Sequence, residues 1–157
     1  MNEALAINSD GKFVATASET GTLIRVFSLE SLDLIYEFRR GSQQANIYDI
    51  SFNMDSTMLA CCSNNGTVHF FQLYKNPNTN RNTKSMLSGL KDYLPQYFSS
   101  EWSFKQVFLG YIDKSISSFD SMGNLHIVSY DGTYNRISFK TEDSEPTIYR
   151  NNLHASK

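Results

Sequence analysis

Apolar and polar positions along the chain fall into short runs rich in β-branched and aromatic residues. These runs are punctuated by Gly, Asn, Asp and Ser at turn-forming positions. The pattern predicts strands over 13–17, 23–29, 34–38, 46–52, 58–62, 67–73, 102–111, 116–119, 125–130 and 133–139. Outside one insertion hardly any of the chain reads as helix. The residues from 141 to 157 form a polar tail, expected to be without regular structure except for a closing strand around Thr147 to Tyr149.

The runs repeat. Ser18-Glu19-Thr20-Gly21-Thr22 recurs as Ser63-Asn64-Asn65-Gly66-Thr67 and as Ser129-Tyr130-Asp131-Gly132-Thr133. The first two copies lie 45 residues apart and align over a longer stretch, Asp10 with Asp55 and Phe13–Ala17 with Met58–Cys62. A period of about 40 to 45 residues is that of a four-stranded propeller blade. The third copy follows after 66 residues, and the excess is one polar insertion, roughly Lys75 to Ser99. The glycine of each copy belongs in the hairpin turn between two strands, where a positive φ is tolerated. The expected fold is therefore all-β: a partial β-propeller over 1–140, about three blades, with a loop at 75–99 and a polar tail at 141–157.

Phe38-Arg39-Arg40-Gly41 ends the run Leu34-Ile35-Tyr36-Glu37-Phe38. Successive residues of an extended chain point to opposite sides, so the two guanidinium groups are placed to serve two separate sites. Arginine offers a rigid fork of donors suited to phosphate, through charge-assisted bonds about twice as strong as neutral ones.

Four ordered motifs carry a resemblance over about residues 4–139: Thr16-Ala17-Ser18 with Gly21–Phe27, Phe38-Arg39-Arg40-Gly41, Gly66-Thr67-Val68-His69, and Tyr97-Phe98-Ser99-Ser100-Glu101-Trp102-Ser103-Phe104. The chain resembles the carboxy-terminal part of a PROPPIN, a phosphoinositide-binding WD-repeat propeller of seven blades, and would supply the fifth, sixth and seventh. The resemblance implies two phosphoinositide pockets. One uses Ser18, Thr22, Arg25 and Arg39; the other uses Arg40, Ser63, Thr67 and His69, whose imidazole can become cationic near an acidic bilayer. It further implies binding to phosphatidylinositol 3-phosphate and phosphatidylinositol 3,5-bisphosphate. Autophagy-related or membrane-traffic proteins are the implied partners. The implied setting is cytoplasmic, peripheral on phagophore, endosomal or vacuolar/lysosomal membranes, in autophagosome formation or endolysosomal traffic. PROPPINs usually add a histidine to the first pocket from just before the region where this chain starts, which leaves that pocket incomplete here and suggests a truncated chain.

The insertion is locally basic, with Lys75, Arg81, Lys84 and Lys91 against Asp92, although the whole chain carries a formal −2. Met86, Leu87, Leu90, Tyr93, Leu94 and Tyr97 follow the i, i+3, i+4, i+7 spacing of an amphipathic helix, limited by Pro95. An apolar stripe beside lysines suits a bilayer interface, as the resemblance also implies for this loop. The alternative is a linker packing loosely on a blade.

The remaining composition narrows the classes. The 157 residues, 40% hydrophobic, suit one globular β unit. No apolar run is long enough to span a bilayer, and no amino-terminal signal sequence is visible. Cys61 and Cys62 are adjacent in a strand, so they point to opposite faces and do not pair. No convergent acid, base or metal cluster suggests an enzyme; no cofactor, metal or nucleic-acid partner is expected. The competing reading is a WD-repeat scaffold that binds only proteins, its arginines pairing with acidic side chains.

Overall fold

The computed structural model describes residues 4–73, 101–110, 113–140 and 144–154. The chain runs through β1 (Leu5–Ile7), β2 (Phe13–Ala17), β3 (Leu23–Ser28), β4 (Leu34–Arg39), β5 (Ile47–Phe52), β6 (Met58–Ser63) and β7 (Thr67–Gln72). It continues through β8 (Glu101–Trp102), β9 (Lys105–Phe108), β10 (Ser115–Phe119), β11 (Leu125–Ser129), β12 (Thr133–Ser138) and β13 (Thr147–Asn152). None of the described residues is helical. Three antiparallel meanders result, β1-β2-β3-β4, β5-β6-β7-β9 and β10-β11-β12-β13. Their first strands lie side by side, β1 against β5 and β5 against β10, so the sheets stand face to face like consecutive blades.

Alternation explains how the blades pack. Ile24, Val26 and Phe38 of the first sheet meet Leu59, Cys61 and Phe71 of the second. The opposite face of the second sheet presents Ala60, Cys62 and Phe70 to Leu125, Ile127 and Ile137 of the third. β6 is consequently buried on both sides from Leu59 to Ser63. The two cysteines take opposite faces, and burial pushes the Cys62 thiol up to about 12 and the Cys61 thiol higher still. Both are inert core groups rather than nucleophiles. Polar stitching joins the inner strands as well. The Asp49 carboxylate accepts from the Ser117 amide at 2.6 Å and from its hydroxyl at 2.7 Å.

The repeated turn glycines have a further reason besides φ. Gly21 and Gly66 sit at φ +66° and +71°, each donating its amide to the carbonyl of Ser18 or Ser63. A Cβ on Gly21 would lie 2.0 Å from the Ala45 carbonyl oxygen, and one on Gly66 would lie 1.8 Å from that of Gly110. The chain leaving each outer strand presses against the preceding hairpin turn. It is pinned there by Ala45 N donating to Thr20 O at 3.1 Å and Leu109 N to Gly66 O at 2.8 Å.

Two expectations change. The single strand 102–111 is broken at Ser103 and Phe104, because its two halves belong to different sheets. β8 pairs in parallel with β4, Phe38 with Glu101 and Arg39 with Trp102, whereas β9 pairs antiparallel with β7. The chain returning from the insertion thus adds a fifth strand to the first blade before completing the second. The closing strand also runs to Asn152 rather than Tyr149, pairing with all six residues of β12. The stripe Met86, Leu87, Leu90, Tyr93 and Leu94 lies outside the described residues.

Candidate anion site beside the twin arginines

β4 ends where the β2–β3 hairpin turns, so both arginines arrive at the same end of the first blade. Leu23 faces Arg39 in the strand register, and the Arg40 amide donates to the Thr22 carbonyl at 2.9 Å. Both side chains are 4% exposed. Their surroundings differ completely. Glu37 and Arg39 alternate with Tyr36 and Phe38, which pack toward the second blade, so Arg39 falls on the outward face of the first sheet.

Arg40, just past the strand, turns toward the second blade. Its Nε donates to the Gly21 carbonyl at 2.5 Å and its Nη2 to the Gln43 carbonyl. Backbone carbonyls orient the guanidinium without neutralising it. Among the described residues Arg40 has no carboxylate partner. It opens onto a recess of about 250 Å³ lined also by Gly41, Ser42, Gln43, Asn65, His69, Trp102 and Gln106. A charge removed from water favours a partner of opposite sign, so this recess is a candidate site for an anion.

His69 reaches this recess because β7 alternation puts it on the same face as Phe71, toward the first blade. Its ring lies 6.4 Å from the Phe71 ring. Its Nδ1 is 3.2 Å from the Ser103 hydroxyl, which also receives Gln106 Nε2 at 3.1 Å. Burial first, and the Arg40 charge second, hold the His69 pKa down at about 4. Away from a bilayer His69 is thus neutral near pH 7 and offers hydrogen bonding rather than charge.

The other expected residues are placed as follows. Ser63 is fully buried, its Oγ without a hydrogen-bond partner among the described residues, and Thr67 begins β7 opposite Phe108. Neither lines the recess that holds Arg40 and His69. On the first flank the Ser18 hydroxyl accepts from Leu23 N at 3.0 Å, and hydroxyl contacts run from Ser18 to Thr20 (3.4 Å) and from Thr20 to Thr22 (2.9 Å). Arg25 is already engaged: its Nε lies 2.9 Å from Glu37 Oε2, directly opposite it in the β3–β4 register.

Sequence reasoning assigned no role to Glu37, Trp102, Ser103 or Gln106. Trp102 and Ser103 stood within a recognised motif, yet only the parallel β4–β8 pairing shows why they lie here. Gln106 sits beside His69 by direct cross-strand register, which strand boundaries alone do not specify.

Face-to-face antiparallel blades with a polar, arginine-containing recess where two of them meet define a partial β-propeller. The chain belongs to the PROPPIN family, whose profile matches residues 2–107. Members of this family are autophagy-related phosphoinositide-binding propellers rather than enzymes. The chain is 43% identical to SVP1-like protein 2 of Saccharomyces cerevisiae over 109 residues, covering 62% of this chain and 24% of that protein. It is 51% identical to autophagy-related protein 18 of Phaeosphaeria nodorum over 85 residues, 54% of this chain and 20% of that protein. The structure of Hsv2 from Kluyveromyces lactis superposes with a TM-score of 0.70 at 29% identity, over 95% of this chain and 47% of that one. That of KlAtg21 in complex with the coiled coil of AgAtg16 gives 0.66 at 28% identity, over 96% and 41%. The chain therefore spans about a quarter or less of the curated relatives it matches, and just under half of these solved propellers.

Proposed function

We propose that this chain carries the headgroup-binding rim of a peripheral membrane protein. It recognises phosphatidylinositol 3-phosphate and phosphatidylinositol 3,5-bisphosphate through sites on the two flanks of Arg39-Arg40. The observation that carries this reading is Arg40, 4% exposed, held by backbone carbonyls and opening onto a recess without a carboxylate partner among the described residues. A phosphomonoester supplies the missing negative charge, and the polar walls supply further hydrogen bonds. Ser18, Thr22, Arg25 and Arg39 are proposed for one flank, and Arg40, Ser63, Thr67 and His69 for the other. The insertion, through Met86, Leu87, Leu90, Tyr93 and Leu94, adds an interfacial anchor. Separate weak contacts on one surface then reinforce each other through effective concentration.

The family and the autophagy-related names of the relatives support a role in autophagosome formation and endolysosomal traffic, at phagophore, endosomal or vacuolar/lysosomal membranes. The KlAtg21 complex supports autophagy proteins as partners, a coiled-coil segment among them. The test is flotation of the full-length parent protein with liposomes containing phosphatidylinositol 3-phosphate, comparing wild type with Arg39→Thr/Arg40→Thr. Loss of flotation in a variant that melts like wild type is expected. Unchanged flotation would shift the reading to a protein-only scaffold.

A further inference from the structure

The recess contains a three-member relay that runs from exposed Gln106 to buried Ser103 and His69, and hydrogen-bond arithmetic gives it a preferred direction. Ser103 is 6% exposed and His69 5% exposed, so their polar atoms depend on protein partners. The Ser103 hydroxyl has one proton to give. Gln106 approaches it with an amide nitrogen, which donates and accepts nothing. Among the described residues its other hydrogen-bond partner is His69 Nδ1, at 3.2 Å. Directing that proton to Nδ1 leaves the lone pair there, whereas a hydroxyl accepting from both neighbours would leave its own proton without a protein partner among the described residues.

We infer that Ser103, oriented by Gln106, is a positioning residue that locks His69 as its Nε2–H tautomer, so that the imidazole presents a donor to an anion held beside Arg40. This rests on the proposed anion site. The low His69 pKa agrees with it, since only a neutral ring has a tautomer to choose. The choice matters because the alternative tautomer would turn a lone pair toward the bound anion. A neutral donor also spares the recess a second buried cation next to Arg40.

The test uses the full-length parent protein, labelled with ¹⁵N-histidine and free of ligand at pH 7, with the His69 ring nitrogens read by long-range ¹H–¹⁵N correlation. Wild type is expected to show Nε2–H. Gln106→Glu replaces the donor by an acceptor that takes the Ser103 proton, so the relay reverses and His69 is expected to switch to Nδ1–H. Ser103→Ala is expected to leave the two tautomers mixed. Gln106 is exposed, so its variant is expected to fold whatever befalls Ser103→Ala. Wild-type Nδ1–H, or an unchanged spectrum in Gln106→Glu, would overturn the inference.

Binding to phosphatidylcholine vesicles containing phosphatidylinositol 3-phosphate forms the second arm, with vesicles lacking it and inorganic phosphate as controls. Ser103→Ala is expected to weaken this binding about 3- to 10-fold. Equal affinity would remove the positioning role even with the tautomer as stated. If Arg40→Gln leaves vesicle binding intact while the tautomer switches as expected, the lipid reading fails and the relay stands.

Discussion

Arg25 and Arg40 offer a controlled comparison within one blade. Both are arginines of the first sheet proposed for headgroup binding. Arg25 lies mid-strand, with its side chain 39% exposed and Glu37 directly across the ladder at 2.9 Å. Arg40 lies past a strand end, nearly buried, with carbonyls but no carboxylate around it among the described residues. An exposed, neutralised arginine has little to gain from an incoming phosphate, whereas a buried and oriented one has much. The difference teaches that the charge partner, more than the residue type, sets how much of an arginine's charge is left for an incoming headgroup.

The largest way to break the comparison is to remove the support beneath Arg40's recess. Gly66→Ala would drive a Cβ into the Gly110 carbonyl at a positive φ, and should destabilise the full-length parent by about 3 kcal/mol or more. Gly11→Ala, at φ +69° with nothing within 4 Å, should cost only about 1 kcal/mol. Urea unfolding of both variants checks the gap; equal losses would mean that φ strain alone governs these turns.

A second effect is expected from pH. The folded His69 pKa, about 4, lies below the ordinary 6.5, so the unfolded chain binds the proton more readily. This contribution to stability is therefore complete above pH 6.5, falls as pH drops toward 4, and levels off below. Its full size is on the order of 3 kcal/mol. His69→Gln should flatten that part of the stability–pH curve, and an identical curve in the variant would show that His69 is not the buried neutral group described.

Smaller still is the direct contrast between the arginines. Arg40→Gln should weaken binding to phosphatidylinositol 3-phosphate liposomes at least about 10-fold, the worth of a charge-assisted bond, and Arg25→Gln about 2-fold or less. Comparable losses at both would erase the distinction drawn from Glu37. Smallest of all, the Arg25–Glu37 pair itself should contribute less than about 1 kcal/mol in a double-mutant cycle read by thermal melting. A much larger coupling would make Arg25 a structural keystone of the first blade.

Local pattern carried much of this. Strand placement, the three Ser-x-x-Gly-Thr turns and the opposed faces of Cys61 and Cys62 were legible because side-chain alternation and turn chemistry are properties of a few consecutive residues. The adjacency of Arg39 and Arg40 likewise announced two flanks. Other features depended on segments far apart in the chain. Glu37 meets Arg25 only in the observed β3–β4 register. The run 102–111 looked continuous because both halves are apolar and extended, and only pairing with two different sheets divides it. His69 carries no local mark of its charge state, which desolvation between blades and the nearby Arg40 decide. The sequence by itself thus determined the blades and where the arginines fall; the tertiary structure decided that Arg25 meets a carboxylate and that Arg40 meets none among the described residues, because register and burial arise only when distant strands meet.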